Sequence, residues 1–273
     1  MIYITGDTHG DFSRFARRYR EKLPYQLTEN DYVIVCGDFG LLWERNKRFS
    51  YNLAWLSALP FRILWVAGNH ENYTMIAEYP LEEWNGGKVR QIARDKIILL
   101  ERGQVFDIEG IRLFAFGGAS SHDIQGGILD KASPTYLNDV WKACMNDLPY
   151  RVLNESWWAA ELPTEEEMQE GRDNLEKAGY QVDYVISHCA SNRIQREIER
   201  YVNGGDPDDS LYEYYEQYEQ DVLTDYFEEL EDRLQYKRWY FGHYHVDAAV
   251  DDKHSVLYHD ILPIGCPDER EEI

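Results

Sequence analysis

The sequence predicts an α/β protein with parallel strand pairing, on three observations. Short apolar runs alternate with helical patterns up to Ala67, each apolar run stops abruptly in a polar loop, and the same strand-then-loop unit returns before His188 and before His243. In chain order, residues 2–6 form an apolar run that opens into Gly6-Asp7-Thr8-His9-Gly10, and an Arg-rich helical pattern follows over residues 11–23. A second strand, residues 32–36, ends at Gly37-Asp38, residues 47–58 are helical, and a third strand, residues 61–67, ends at Gly68-Asn69-His70. Loops at the carboxyl ends of parallel strands are where open α/β sheets hold ligands, so these three should lie side by side.

The texture then changes. Residues 89–93, 97–101, 104–108 and 111–116 read as an antiparallel meander. Thr164-Glu165-Glu166-Glu167 has capping-box spacing for a helix ending near Gly179, residues 182–187 form a buried strand that delivers His188, and residues 237–242 deliver Gly242-His243-Tyr244-His245 before strands at 246–250 and 255–259. Residues 206–232 are rich in Asp, Glu and Tyr and contain no Lys or Arg. A second capping box at Ser210-Leu211-Tyr212-Glu213, with Val222, Leu223, Tyr226, Phe227, Leu230 and Leu234 at helical spacing, predicts a long amphipathic helix. The chain therefore reads as one domain, residues 1–273, carrying a helical cap insertion at about residues 190–235.

Composition narrows the function. At 273 residues with 44% apolar and 29% charged residues the chain is globular, and no stretch approaches the roughly 20 apolar residues that span a bilayer. Its 28 basic and 50 acidic residues give a net charge of −22, which repels nucleic acid and anionic membrane surfaces and disfavours a polymeric nucleic-acid partner. Cys36, Cys144, Cys189 and Cys266 are scattered, without a Cys-x-x-Cys pair, and read as reduced thiols of a cytoplasmic protein.

Five of the eight histidines (His9, His70, His188, His243 and His245) fall in loops just after predicted strands, beside Asp7, Asp38 and Asn69. Imidazole with carboxylate suits Mn, Fe, Ni or Zn. So many ligands exceed the needs of one tetrahedral site, and two ions sharing a bridging carboxylate are the natural solution. An extended segment points residues i and i+2 to one side, so Asp7 with His9, and His243 with His245, can converge.

Gly6-Asp7-Thr8-His9-Gly10, Gly37-Asp38, Gly68-Asn69-His70-Glu71, His188 and Gly242-His243-Tyr244-His245 together resemble the ordered motif series of the calcineurin-like metallophosphoesterases. The resemblance implies a four-layer α-β-β-α sandwich of two β-sheets flanked by helices. It implies that Asp7, His9, Asp38 and His245 hold one ion, and that Asp38, Asn69, His188 and His243 hold the other, with Asp38 as the bridge. It casts His70 as the group near the leaving oxygen, donating a proton or stabilising charge. One departure matters: where the protein Ser/Thr phosphatase branch carries an Asp that pairs with the catalytic His and an Arg that holds phosphate, this chain has Leu41 and Leu42. Residues 117–123 and Ser156-Trp157-Trp158 resemble instead uncharacterised bacterial and phage members of the family.

The implied activity is metal-dependent hydrolysis of a phosphomonoester or phosphodiester, with a small or nucleotide-like substrate. A nuclease is the alternative, and a non-catalytic interaction protein on the same fold is disfavoured because every ligand position is filled. His122, in a polar loop after a strand, could reach the substrate. Arg193 follows His188 with Arg196 and Arg200 on one helical face, and these either hold phosphate or neutralise the acidic insertion. Two bound divalent ions would leave the pocket locally positive despite the net charge, and an acidic cover around it favours compact esters over long polyanions.

Overall fold

The computed structural model describes residues 1–16, 27–203, 218–270 and 272–273. Among these the strands are β1 (Ile2–Thr5), β2 (Tyr32–Val35), β3 (Arg62–Trp65), β4 (Leu81–Trp84), β5 (Gly87–Ala93), β6 (Ile97–Leu100), β7 (Gln104–Ile108), β8 (Ile111–Phe116), β9 (Ile128–Leu129), β10 (Arg151–Val152), β11 (Tyr184–Ser187), β12 (Arg238–Phe241), β13 (Ala248–Ala249), β14 (His254–Val256) and β15 (Ile261–Pro263). The helices are α1 (Lys47–Ser57), α2 (Tyr73–Ala77), α3 (Tyr136–Met145), α4 (Glu165–Lys177), α5 (Asn192–Asn203) and α6 (Val222–Glu231).

Two sheets dominate. One has seven strands in the order β15-β1-β2-β3-β6-β5-β4, and the other has six in the order β13-β14-β12-β11-β8-β7. The centre of each is parallel: β1, β2, β3 and β6 in the first, and β8, β11, β12 and β14 in the second. Alternation along these strands builds the layers, because successive side chains face opposite ways. Ile2, Ile4, Ile34, Leu64 and Val66 of the first sheet meet Leu113, Ala115, Ile186 and Tyr240 of the second in a core between the sheets. The other face of the first sheet, with Val33, Val35, Ile63 and Trp65, packs against Leu56 of α1 and Met75 and Ile76 of α2. The other face of the second, with Phe114, Phe116, Val185, Trp239 and Phe241, packs against α4, α5 and α6 through Met168, Leu175, Ile194, Ile198, Leu223 and Phe227. The result is the expected α-β-β-α sandwich.

Caps fix where the helices begin. Asn46 accepts from the Phe49 N–H at the start of α1, and Thr164 with Glu167 closes the expected capping box on α4. At α6 the box is made by Asp221 and Thr224; the one expected at Ser210–Glu213 lies outside the described residues.

Three expectations change. The single meander over 89–116 is split between sheets: β5 pairs with β6 in the first and β7 with β8 in the second, so the chain crosses over at 101–103. Of the helix expected over 11–23, the described part holds one 3-10 turn, Ser13–Phe15, and residues 17–26 lie outside the description. Of the insertion expected at 190–235, the described part contains α5 and α6, whose apolar residues join the second sheet's outer core, and residues 204–217 lie outside the description. Val222, assigned to the apolar stripe, is 52% exposed while Leu223, Tyr226, Phe227 and Leu230 are buried.

Candidate metal centre and active site

The carboxyl ends of β1, β2, β3, β11 and β12 meet at one end of the sandwich, and the loops that follow them interlock. The Gly242 N–H donates to the His188 carbonyl, the Thr8 and His9 N–H groups donate to the Asp38 carbonyl, and the Gly118 N–H donates to the Ala67 carbonyl. The predicted residues thereby come together from five segments. Asp7, Asp38, Asn69, His188 and His243 are buried, His70 is half-buried, and His9 and His245 are exposed on the open side.

Distances group them around shared centres. His245 Nε2 lies 3.3 Å and His9 Nε2 3.7 Å from Asp7 Oδ2, and the two imidazole nitrogens are 2.9 Å apart. His9 Nδ1 is 3.8 Å from Asp38 Oδ2, while His188 Nε2 is 3.5 Å from Asp38 Oδ1 and 3.1 Å from Asn69 Oδ1. Most of these separations are long for hydrogen bonds, whereas atoms each roughly 2.1 Å from one ion lie about 3–3.5 Å from each other. Among the described residues both carboxylates face histidine nitrogens with no lysine or arginine paired to them. Two buried carboxylates ringed by imidazoles, with neither lysine nor arginine to balance them among the described residues, fit divalent ions of the Mn, Fe, Ni or Zn type. Asp7, His9 and His245 form one such group, and Asp7, Asp38 and His188 another.

The surrounding bonds aim the ligands. His188 Nδ1 sits 2.7 Å from the Cys36 carbonyl, so the proton belongs there and Nε2 keeps its lone pair for the site. Asp7 accepts from the His243 N–H at 3.0 Å, and Asp38 Oδ1 accepts from the His70 N–H at 2.7 Å. Glu71, fully buried, accepts from the Phe39 N–H at 2.7 Å and so ties down the Asp38 loop; burial and the neighbouring Asp38 push its carboxyl well up, against the bonds from Phe39 and Gly40. His9, Asp38, His243 and His245 all have positive φ (45°, 45°, 69° and 53°), and such strain in non-Gly residues costs about 1–3 kcal/mol each and collects at functional sites. Gly37 belongs here for steric reasons too: its φ is +93°, and a Cβ would lie 2.1 Å from His188 Nδ1.

Electrostatics follow burial and charge. Burial pulls the His188 imidazole down, but Asp38 and Asp7 together outweigh it and lift it to about 9, so without metal this ring competes for a proton that an ion would displace. Burial pushes His243 well down, helped by His188 and His122, which disfavours the imidazolium at this position. His70 is also lowered by burial, with Asp38 opposing and Arg151 reinforcing the shift.

Of the two residues expected to touch substrate, His122 lies beside the cluster. Its ring meets His243 edge-on at 5.7 Å and Tyr218 at 4.9 Å, and its Nδ1 is buried without a hydrogen-bond partner. The other, Arg193, is half exposed, and its guanidinium pairs with Glu228 and Glu231 of α6 and with Asp232 after it, which is the acid-neutralising one of its two expected roles.

Sequence reasoning missed the groups around His70. Leu41 and Leu42 are buried in the core, and the polar neighbours of His70 come from elsewhere. Arg151 Nη2 lies 3.0 and 3.1 Å from the two His70 ring nitrogens, and Arg151 also grips Asp123. A second missed chain runs from Glu161, which accepts from the Ser121 N–H and hydroxyl and the Trp157 indole, through Ser121 to Asn69, whose Nδ2 is 3.5 Å from the Ser121 hydroxyl. Neither Arg151 nor Glu161 stands in a patterned segment, and only Asp123 and Trp157 fall within segments the sequence singled out.

This geometry defines an α-β-β-α protein with a buried carboxylate–imidazole centre at the carboxyl ends of its strands. Over residues 1–247 the chain matches the calcineurin-like phosphoesterase family, and it belongs to that family. No curated protein sequence matches it. Among solved structures it is similar to a phosphopantetheinyl hydrolase from Mycobacterium tuberculosis at 14% identity and a TM-score of 0.42, over 93% of this chain and 86% of that one. No helix among the described residues is long and apolar enough to cross a membrane.

Proposed function

We propose that the protein hydrolyses a small phosphomonoester or phosphodiester, nucleotide-like in size, with two divalent metal ions. The observation that carries this reading is the convergence of Asp7, His9, Asp38, Asn69, His188, His243 and His245 from five loops onto one strained cluster whose two buried carboxylates, among the described residues, face imidazoles and no lysine or arginine. Asp7, His9, Asp38 and His245 would hold one ion, and Asp38, Asn69, His188 and His243 the other, with Asp38 shared. When bound, the ions would supply Lewis-acid activation of the phosphoryl group and of the attacking water.

The chain's own residues do the rest. The Cys36 carbonyl holds the His188 Nδ1 proton, leaving Nε2 as ligand. His70, half-buried at the edge of the cluster with both ring nitrogens 3.0–3.1 Å from Arg151 Nη2, donates an N–H to the oxygen of the departing alcohol. A cavity of about 630 Å³ opens beside His243 and His122, lined also by Ile128, Trp157, Glu161 and Tyr218. Its size suits one organic group, and the acidic Glu219 and Asp221 on its wall disfavour a second phosphate.

The test is hydrolysis by metal-stripped and Mn-reconstituted protein of a panel of phosphorylated metabolites, cyclic nucleotides, dinucleotides and an oligonucleotide, with Asp38→Asn alongside. Turnover of small esters should appear with metal and vanish on chelation and in Asp38→Asn. Full activity in stripped protein or in Asp38→Asn overturns the two-ion reading, and preference for the oligonucleotide overturns the small-substrate one.

A further inference from the structure

We propose that Arg151, anchored by Asp123, is the positioning residue for His70, fixing the ring so that its N–H faces the leaving oxygen; the inference deepens the phosphoesterase reading and rests on it. Arg151 opens the two-residue strand β10, and its side chain is only 7% exposed. Three contacts determine the guanidinium plane: Nε to Asp123 Oδ1 at 2.8 Å, Nη2 to Asp123 Oδ2 at 2.6 Å, and Nη1 to the Ser156 carbonyl at 2.9 Å. The two-pronged grip on a carboxylate is the geometry in which a guanidinium is held most rigidly. Among the described residues the guanidinium also meets His70, at 3.0 and 3.1 Å.

A guanidinium has five N–H donors and no acceptor. Against it, an imidazole can only accept, and a neutral ring that accepts at one nitrogen donates at the other. Nη2 stands almost equally far from the two ring nitrogens, so Arg151 restrains the rotation of His70 without choosing which nitrogen carries the proton. The remaining restraints on this residue act elsewhere: Asp38 holds its backbone N–H, and the His9 ring meets it edge-on at 5.3 Å without sharing a hydrogen bond. Asp123, itself 39% exposed, balances the charge of Arg151, so the pair brings a fixed donor to His70 with little net charge.

A merely structural Arg151 would pin the 151–156 turn through Ser156 and Asp123 and would affect every substrate alike. A positioning role makes a different set of expectations. In the full-length, Mn-loaded protein, Arg151→Ala should lower kcat on a phenyl phosphodiester about 10–100-fold, as a loss of alignment does, with KM changed less than about threefold. The loss should be several-fold smaller on the p-nitrophenyl counterpart, whose leaving group needs less help. In a His70→Ala background the same substitution should cost less than about twofold, because its effect runs through the ring. Added methylguanidinium should restore part of the rate in Arg151→Ala and none in the double variant. Asp123→Asn, which keeps the guanidinium but loosens its grip, should show the same leaving-group pattern at smaller amplitude and covers the case in which Arg151→Ala fails to fold. Equal losses on both esters in either variant, or an undiminished loss in the His70→Ala background, overturns the inference while leaving the phosphoesterase reading intact. A wild-type protein that hydrolyses neither ester with any of the four metals refutes that reading, and the inference falls with it.

Discussion

Gly68→Ala is the substitution through which the structure most directly predicts loss of the metal centre without loss of the fold. Gly68 lies between β3 and α2, where a Cβ would stand 2.2 Å from Asp38 Oδ1, 2.6 Å from the Asp38 backbone nitrogen and 2.7 Å from His188 Nε2. Ordinary contact begins at 3.4 Å. Asp38 and His188 must therefore retreat by roughly 1 Å, and a displacement of that size in a reacting site costs about 10²-fold in rate. Asp38 cannot yield by a simple backbone swing, because it already sits at φ 45° and its Oδ1 is held by the His70 N–H. The overpacking should cost about 1–3 kcal/mol of stability, leaving a folded protein. Calorimetric titration with Mn²⁺ and steady-state hydrolysis should show affinity at least about tenfold weaker and kcat down about 10²-fold. Gly110→Ala is the matched control: it has φ +82° with nothing within 4 Å of the added methyl, in the β7–β8 turn, so it should cost stability alone. Wild-type Mn²⁺ affinity and turnover in Gly68→Ala would refute the assignment of Asp38 and His188 to the metal centre.

His70→Ala should lower kcat by roughly 10²–10⁴ while both ions stay bound, and activated leaving groups should suffer less; loss of an ion on titration would show that His70 is a ligand. Burial raises Glu161 from 4.5 to about 6, against the donors from Ser121 and Trp157. The folded state thus binds this proton more tightly than the unfolded chain does. Stability is therefore lost as pH rises from about 4.5 to about 6 and stays level above, by about 1–2 kcal/mol. Melting curves should show Glu161→Gln gaining on wild type over that window, and a pH-independent difference would contradict it. Arg102 donates to the carbonyls of Gly117, Ala160, Glu161 and Leu162 and to the Tyr73 hydroxyl, so Arg102→Met should cost about 3 kcal/mol or more in urea unfolding. A cost under about 1 kcal/mol would mean that water replaces those bonds.

The fold was legible where physics acts locally. Apolar runs such as 32–36 and 111–116 became strands because alternate residues had two buried faces to fill, and Thr164 with Glu167 started a helix through bonds made within four residues. The split of the expected meander was not legible, since the segments over 97–108 look alike whether β6 and β7 pair with each other or with different sheets. Residues 222–234 showed the right period but not its partner: nothing local in the stripe of Leu223, Tyr226, Phe227 and Leu230 says that Phe227 packs against Phe116 and Trp239. At the site, residues in strand-end loops announced themselves by type and spacing. Arg151 did not, because it acts across 81 residues of sequence on His70, and nothing local in Tyr150-Arg151-Val152 marks it. Arg193 admitted two readings, since its helical spacing was visible and its acidic partners on α6 were not.

The central claim is that Asp38 is shared between two ions. Diffraction from crystals grown with Mn²⁺, recorded on either side of the manganese absorption edge, tests it most directly. Two anomalous peaks about 3.5–4 Å apart should flank the Asp38 carboxylate, one beside Asp7, His9 and His245 and the other beside Asn69, His188 and His243. A single peak, or two peaks that leave Asp38 out of contact with either ion, would contradict the account.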